Sequence, residues 1–119
     1  GHLSPTGRSA KRVISGGVNI YAAGVEAVLL EHPAVGDVAV IGVPNEDMGE
    51  EVKAVVEVRD GVVGTDELRA ELIAFTRDRI AHFKCPRTVD FIDKLPREDN
   101  GKIYKRRLRD QYRQNAEET

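Results

Sequence analysis

Between Val35 and Val43 the chain reads Val-Gly-Asp-Val-Ala-Val-Ile-Gly-Val, a run dense enough in β-branched residues to commit the fold to a sheet. Pro44-Asn45-Glu46-Asp47 punctuates this strand, and Val52 to Val58 (VKAVVEV) supplies a second. Helical spacing flanks the pair. Val25, Val28 and Leu29 fall at i, i+3 and i+4 in a helix from about Ala22 to Glu31, which His32-Pro33 ends because proline disfavours helical geometry in the residue before it. Asp60-Gly61 and Gly64 mark a loop, after which Thr65 is an N-cap and Asp66-Glu67 place acids where the helix dipole favours them. Leu68, Leu72, Phe75, Arg79 and Ile80 continue that helix to about Ala81.

Cys85-Pro86 opens a third strand, Arg87 to Ile92, and Leu95-Pro96 begins a polar loop ending at Asn100-Gly101. A charged helix follows from about Lys105 to Gln114. Upstream, Val13-Ile14 and Asn19-Ile20-Tyr21 flank a Ser15-Gly16-Gly17 turn, so residues 12 to 21 read as a hairpin. The expected class is α+β: a small compact domain with an N-terminal hairpin, a roughly three-stranded sheet covered by helices, and a C-terminal helix. At 119 residues it makes one domain with a modest core. Residues 1–10 read as linker or hinge, with Gly1-His2-Leu3 fitting a tag remnant, and residues 11–119 as the domain itself.

Several function classes fall away on composition. The net charge of −2 is not that of a polyanion binder, and no aromatic stacking platform accompanies the basic residues, so no nucleic-acid partner is expected. The charge is uneven, however. Lys102, Lys105, Arg106, Arg107, Arg109 and Arg113 face only Asp110, which reads either as a solvated helical face or as a phosphate-facing end. Cys85 stands alone, and His2, His32 and His82 lie far apart without a cysteine pair, so neither a disulfide nor a metal site is expected. A lone cysteine suits a reducing compartment, and the expected localisation is cytoplasmic. No apolar run is long enough to span a bilayer, and no secretory core opens the chain.

Nucleophile and nucleotide motifs fail in turn. Ser4, Ser9 and Ser15 have no GxSxG context, and Gly101-Lys102 is followed by Ile103 rather than by the Ser or Thr of a P-loop. Glu46, Asp47, Glu50 and Glu51 read as a solvated turn. Two segments stay informative. In Pro96-Arg97-Glu98-Asp99-Asn100-Gly101-Lys102-Ile103, a glycine lets the backbone approach a ligand while the next ammonium extends toward phosphate or carboxylate. On residue types alone that lysine reads sooner as an ordinary surface residue than as a ligand contact, while the Ser15-Gly16-Gly17 turn reads equally as an ordinary hairpin.

Taken in order and with their spacing, these segments resemble a known family. Gly7-Arg8, then Val13-Ile14-Ser15-Gly16-Gly17-Val18-Asn19-Ile20-Tyr21, then Val25-Glu26 is similar to the GRxKDxIxxxGxxIxPxEIE hinge and glycine loop of adenylate-forming (AMP-binding) enzymes. His32-Pro33-Ala34-Val35 with Val38 to Pro44 and Gly49-Glu50 resembles the next segment of that family. Phe83-Lys84-Cys85-Pro86 resembles its FKxP element, and Pro96 to Leu108 its closing motif, GKIxKxxL. The resemblance runs from about Gly7 to Arg113 and looks most like fatty or aromatic acyl-CoA ligases. Three positions depart from the pattern. Ala10 stands where a hinge Lys or Asp is usual, Ala22 where Pro is usual, and Gly24 where the first acid of PxEIE is usual.

The resemblance implies the C-terminal mobile domain of an acid–thiol ligase, whose large N-terminal domain is its partner and lies outside this chain. Such an enzyme joins a carboxylic acid to ATP (with Mg2+), giving an acyl-adenylate and pyrophosphate. CoA then takes the acyl group. Lys102 takes the place of the adenylation lysine, Ser15, Gly16 and Gly17 line the thiol tunnel, and Arg8, Ala10 and Lys11 form the hinge region. Lys84 and Arg87 stand where they could meet the CoA phosphates. The resemblance also implies a lysine acetyltransferase acting at Lys102 as a switch. The isolated chain is expected to bind no cofactor and to be inactive alone. The alternative expectation is a stand-alone binding or regulatory module of the same fold.

Overall fold

The structure, a computed structural model, describes residues 12–15, 18–45 and 49–118. The hinge candidates Arg8, Ala10 and Lys11, and Gly16 and Gly17 of the glycine turn, lie outside the described residues. Two short strands come first, β1 (Arg12–Ser15) and β2 (Val18–Tyr21), paired antiparallel as the hairpin expected from sequence. Helix α1 (Ala22–Leu30) leads into β3 (Val35–Asn45) and β4 (Gly49–Val58). Helix α2 (Asp66–Arg77), a 3-10 turn (His82–Lys84), β5 (Thr88–Ile92) and α3 (Lys105–Glu118) complete the order.

Strand β4 is the spine. It pairs antiparallel with β3 from Asn45↔Gly49 to Val35↔Val58, and parallel with β5 from Lys53↔Thr88 to Glu57↔Ile92. These three strands form the mixed core of the sheet. The hairpin joins through one pair, Ser15↔Gly49, on the edge of β4 that β5 also uses, which brings the sheet to five strands.

The β-branched runs serve both faces, as strands buried on two sides do. Val38 and Val40 of β3, Val52, Ala54 and Val56 of β4, and Val89 of β5 pack with Val25 and Leu29 of α1 and Leu72 of α2. On the other face Ala39, Ile41, Val43 and Val55 pack with Leu95 and with Leu108 of α3. The sheet is therefore enclosed between α1 and α2 on one side and α3 on the other.

Element ends moved where the chain found partners the sequence does not announce. Strand β4 begins at Gly49 rather than Val52, because Gly49 pairs with both Asn45 and Ser15. Helix α2 stops at Arg77, short of Ala81. Its Thr76 hydroxyl donates to the Ile73 carbonyl at 2.7 Å, and the Arg79 guanidinium turns back over the Phe75 ring at 3.6 Å. Helix α3 runs past Gln114 to Glu118.

Side chains lock the helices to the sheet. The Thr65 hydroxyl accepts from the Leu68 N–H at 3.1 Å, the cap expected from sequence. Buried His32 accepts the Ala34 N–H on Nδ1 at 3.1 Å, so its proton sits on Nε2, which donates to Glu71 at 2.5 Å. That pair joins the end of α1 to α2. At the far side, Asp90 of β5 takes the Tyr112 hydroxyl at 2.6 Å and the Lys53 ammonium at 3.0 Å. Burial alone would raise its carboxyl, but those two donors outweigh burial and hold it below the ordinary carboxylate range. Burial and the adjoining carboxylate push the Tyr112 phenol upward in turn.

Candidate functional site

Pro96 to Tyr104 folds as a miniature hairpin with Lys102 on its second arm. Arg97 and Ile103 face each other in an antiparallel bridge. The Glu98 N–H donates to the Lys102 carbonyl at 2.8 Å, the Gly101 N–H to the Glu98 carbonyl at 2.8 Å, and the Tyr104 N–H to the Pro96 carbonyl at 2.7 Å. Asp99 and Asn100 form the tip, and Gly101 follows at φ +88°. That is the geometry of a turn closed by a glycine bulge. Nothing lies within 4 Å of where a Cβ on Gly101 would stand, so the demand for glycine is conformational and not steric crowding. Gly101→Ala is therefore expected to cost about 1 kcal/mol of stability, read as a lower denaturant midpoint. A midpoint equal to that of the parent would show that the bulge tolerates a side chain.

The hairpin is anchored firmly. Leu95, 3% exposed, sits in the α3-side core, and its N–H donates to Glu57 Oε1 at 3.0 Å. The Arg97 guanidinium donates to the Gly101 carbonyl at 3.2 Å and to Asp37 Oδ2 at 2.7 Å, with Glu57 Oε1 at 3.8 Å. The Asp37 hydrogen bond holds the guanidinium above its ordinary value. Lys102 is exposed at the end of this rigid support, and among the described residues its ammonium has no partner. The groove beside it, lined by Arg97, Glu98, Asp99, Asn100, Tyr104 and Arg107, measures about 500 Å³. It is open and polar and offers no walls to exclude water.

The basic run around Lys102 is neither a uniform solvated face nor a uniform phosphate-facing end. The Lys105 ammonium meets Glu26 at 2.6 Å and Arg109 meets Glu50 at 3.4 Å, both pairs mostly buried. Glu26 also accepts the Val40 N–H at 2.8 Å, so this acid of the glycine-loop motif fastens α1 to β3 and to α3. Lys102, Arg106 and Arg107 are the exposed cations of the run among the described residues.

The other candidate segment lies elsewhere. Ser15 is paired to Gly49 at the beginning of β4, and the Arg87 N–H donates to the Val52 carbonyl at 2.8 Å, three residues further on. Ser15 and Arg87 thus sit about 10 Å apart along one edge of β4. Phe83 is 55% exposed there, and Lys84 is exposed with its ammonium 5.7 Å from the Phe83 ring. Lys102 belongs to the opposite end, where its hairpin is held by Asp37 and Glu57. From Gly49 to Glu57 the strand spans about 27 Å.

Sequence reasoning singled out Lys102 as a candidate and left the contacts that hold its hairpin unread. Arg97, Asp37 and Glu57 carry no motif. The one signal was an acid, Asp37, breaking an apolar strand.

Comparison with known proteins places these elements. The family model of the AMP-binding enzyme C-terminal domain matches residues 24–102. A 3-[(3aS,4S,7aS)-7a-methyl-1,5-dioxo-octahydro-1H-inden-4-yl]propanoyl:CoA ligase from Mycobacterium tuberculosis is 47% identical over 110 residues, 92% of this chain and 21% of the relative. A mitochondrial medium-chain acyl-CoA ligase, ACSF2 of Mus musculus, is 41% identical over 96% of this chain and 18% of its own length. Among solved structures, ATP-bound MatB from Rhodopseudomonas palustris superposes with a TM-score of 0.79 at 38% identity, covering 87% of this chain and 20% of that one. The chain spans about a fifth of the length of the curated relatives it matches.

Proposed function

This chain belongs to the AMP-binding enzyme C-terminal domain family, and from that membership we propose that it acts as the mobile C-terminal domain of an ATP-dependent acyl-CoA ligase. The carboxylate of an organic acid attacks the α-phosphate of ATP, brought as its magnesium complex, and pyrophosphate leaves. The CoA thiol then attacks the acyl carbon of the adenylate, and AMP leaves. In the first step Lys102 reaches the shared carboxylate and phosphate oxygens, where a compact ammonium offsets charge in a water-poor cleft. The cleft's remaining walls come from a larger N-terminal domain of the same enzyme.

One observation carries this reading. The Lys102 hairpin and the glycine-turn hairpin are fixed at opposite ends of β4, eight residues apart. A single pose cannot present both ends to one active centre, so the domain rotates between the two steps, about a hinge among Arg8, Ala10 and Lys11. In the second pose Ser15, Gly16 and Gly17 line the thiol's path. The Lys84 ammonium and the Arg87 guanidinium, on the same edge of β4, meet the CoA phosphates. Acetylation of Lys102 by a lysine acetyltransferase would remove the charge and stop the first step.

No helix among the described residues is long and apolar enough to cross a membrane. The single thiol, Cys85, suits a reducing compartment, with the cytoplasm as the proposed location.

The test is acid-dependent exchange of pyrophosphate into ATP, followed by CoA thioester formation, in the ligase that carries this chain. Deleting residues 12–118 is expected to lower both by about a hundredfold or more. A truncated enzyme that retained both activities would refute the proposal.

A further inference from the structure

We propose that Arg97 and Asp37 act as the positioning pair for Lys102, fixing the plane of the peptide from which the lysine side chain departs. The proposal rests on the reading of Lys102 as the adenylation lysine.

The Gly101–Lys102 peptide has two polar groups, and both are held. Its carbonyl accepts from Arg97 Nη1 at 3.2 Å, and its N–H donates to Asn100 Oδ1 at 3.0 Å. Asn100 belongs to the hairpin tip and moves with it. Arg97 is different, because its other nitrogen is fixed outside the hairpin, on Asp37 at 2.7 Å with Glu57 at 3.8 Å. One planar guanidinium therefore spans from strands β3 and β4 to the peptide that precedes Lys102. Asp37 is itself fixed, since its Oδ1 accepts the Val38 N–H at 2.9 Å. A flexible ammonium at position 97 has no fork to hold a carbonyl and a carboxylate together.

The same numbers argue against a role in stability. The side chains of Arg97 and Asp37 are 39% and 29% exposed, and ion pairs of that exposure contribute about 0–1 kcal/mol. Leu95, Ile103 and the Arg97↔Ile103 bridge keep the hairpin attached without the guanidinium. What its loss releases is the angle of the Gly101–Lys102 peptide. A lysine tip several bonds beyond that peptide amplifies a small rotation into a displacement of about 1 Å, enough to cost about a hundredfold in rate.

The experiment uses the full-length ligase with Arg97→Gln, Asp37→Asn and the double variant, beside Arg97→Lys and Lys102→Ala. Arg97→Gln is expected to lower the kcat of ATP–pyrophosphate exchange by about 10- to 100-fold. KM for ATP, thioester formation from pre-made acyl-adenylate, and the thermal midpoint stay near those of the parent. Asp37→Asn, which keeps the Val38 hydrogen bond, lowers the same kcat, and the double variant falls no further than Arg97→Gln. Arg97→Lys recovers only part of the rate. Unchanged exchange in Arg97→Gln overturns the proposal. So does a loss that Asp37→Asn does not share, or one that appears in KM for ATP, since either means that Arg97 touches substrate directly. The underlying reading fails separately, through Lys102→Ala: exchange that survives that substitution removes the role of Lys102 itself.

Discussion

Lys102→Ala is expected to lower acid-dependent ATP–pyrophosphate exchange in the ligase proposed to carry this chain by about 10²- to 10³-fold, the usual cost of removing one preorganised charge partner from a transition state. Thioester formation from pre-made acyl-adenylate and CoA is expected to remain within a few-fold of the parent. The contrast follows from the position of the side chain. Lys102 is exposed and unpaired among the described residues, so its truncation leaves no buried group without a partner and does not unfold the domain. The expected loss is therefore chemical, and under the proposed function it falls on one half-reaction because Lys102 stands at one end of β4 and Ser15 at the other. Loss of both half-reactions to the same degree would mean that the domain does not divide the steps between its ends.

The second large effect is on folding. Leu108→Ala is expected to destabilise the domain by about 2–5 kcal/mol, out of a total on the order of 5–15 kcal/mol for a domain. Leu108 is 1% exposed and is the fully buried side chain that α3 sends into the core, against Ala39, Ile41, Val43 and Val55. Among the described side chains, the other α3 contact in that cluster is Tyr112, which is only partly buried. The partners of Leu108 on β3 and β4 are fixed by strand pairing, so the surroundings relax only partly into the space. Thermal unfolding followed by circular dichroism should show a midpoint lower by on the order of 10–30 °C. A drop of only a few degrees would show that α3 docks through its ion pairs, Lys105–Glu26 and Arg109–Glu50, and not through its apolar contact.

The sheet, its covering helices and the hairpin were all legible in the chain, because their signals are local. Valine runs, helical spacing and the Thr65 cap act within a dozen residues. The bend beside Lys102 was legible for a related reason, since Gly101 records a backbone conformation that only glycine adopts easily. Contacts across long sequence separations left no trace. Arg97 lies 60 residues from Asp37, and Lys105 lies still further beyond Glu26, so a list of basic residues grouped Lys105 with the solvated cations although its side chain is only 18% exposed. Strand β4 shows the same limit, its first three residues being strand because Asn45, Pro44 and Val43 pair with Gly49, Glu50 and Glu51, and Ser15 pairs with Gly49 from the other side.

Strand β3 is an edge of the sheet, eleven residues long and rich in valine, the composition that recruits strands from other chains. Its outward N–H groups at Val38 and Val40 are taken by carboxylates, those of Asp37 and Glu26. A second chain approaching this edge meets donors already occupied and two acids in its path. At these two positions the edge is closed to strand addition from within the domain itself. Glu26 thus guards solubility as well as shape, and its replacement by Ala should appear first as concentration-dependent light scattering.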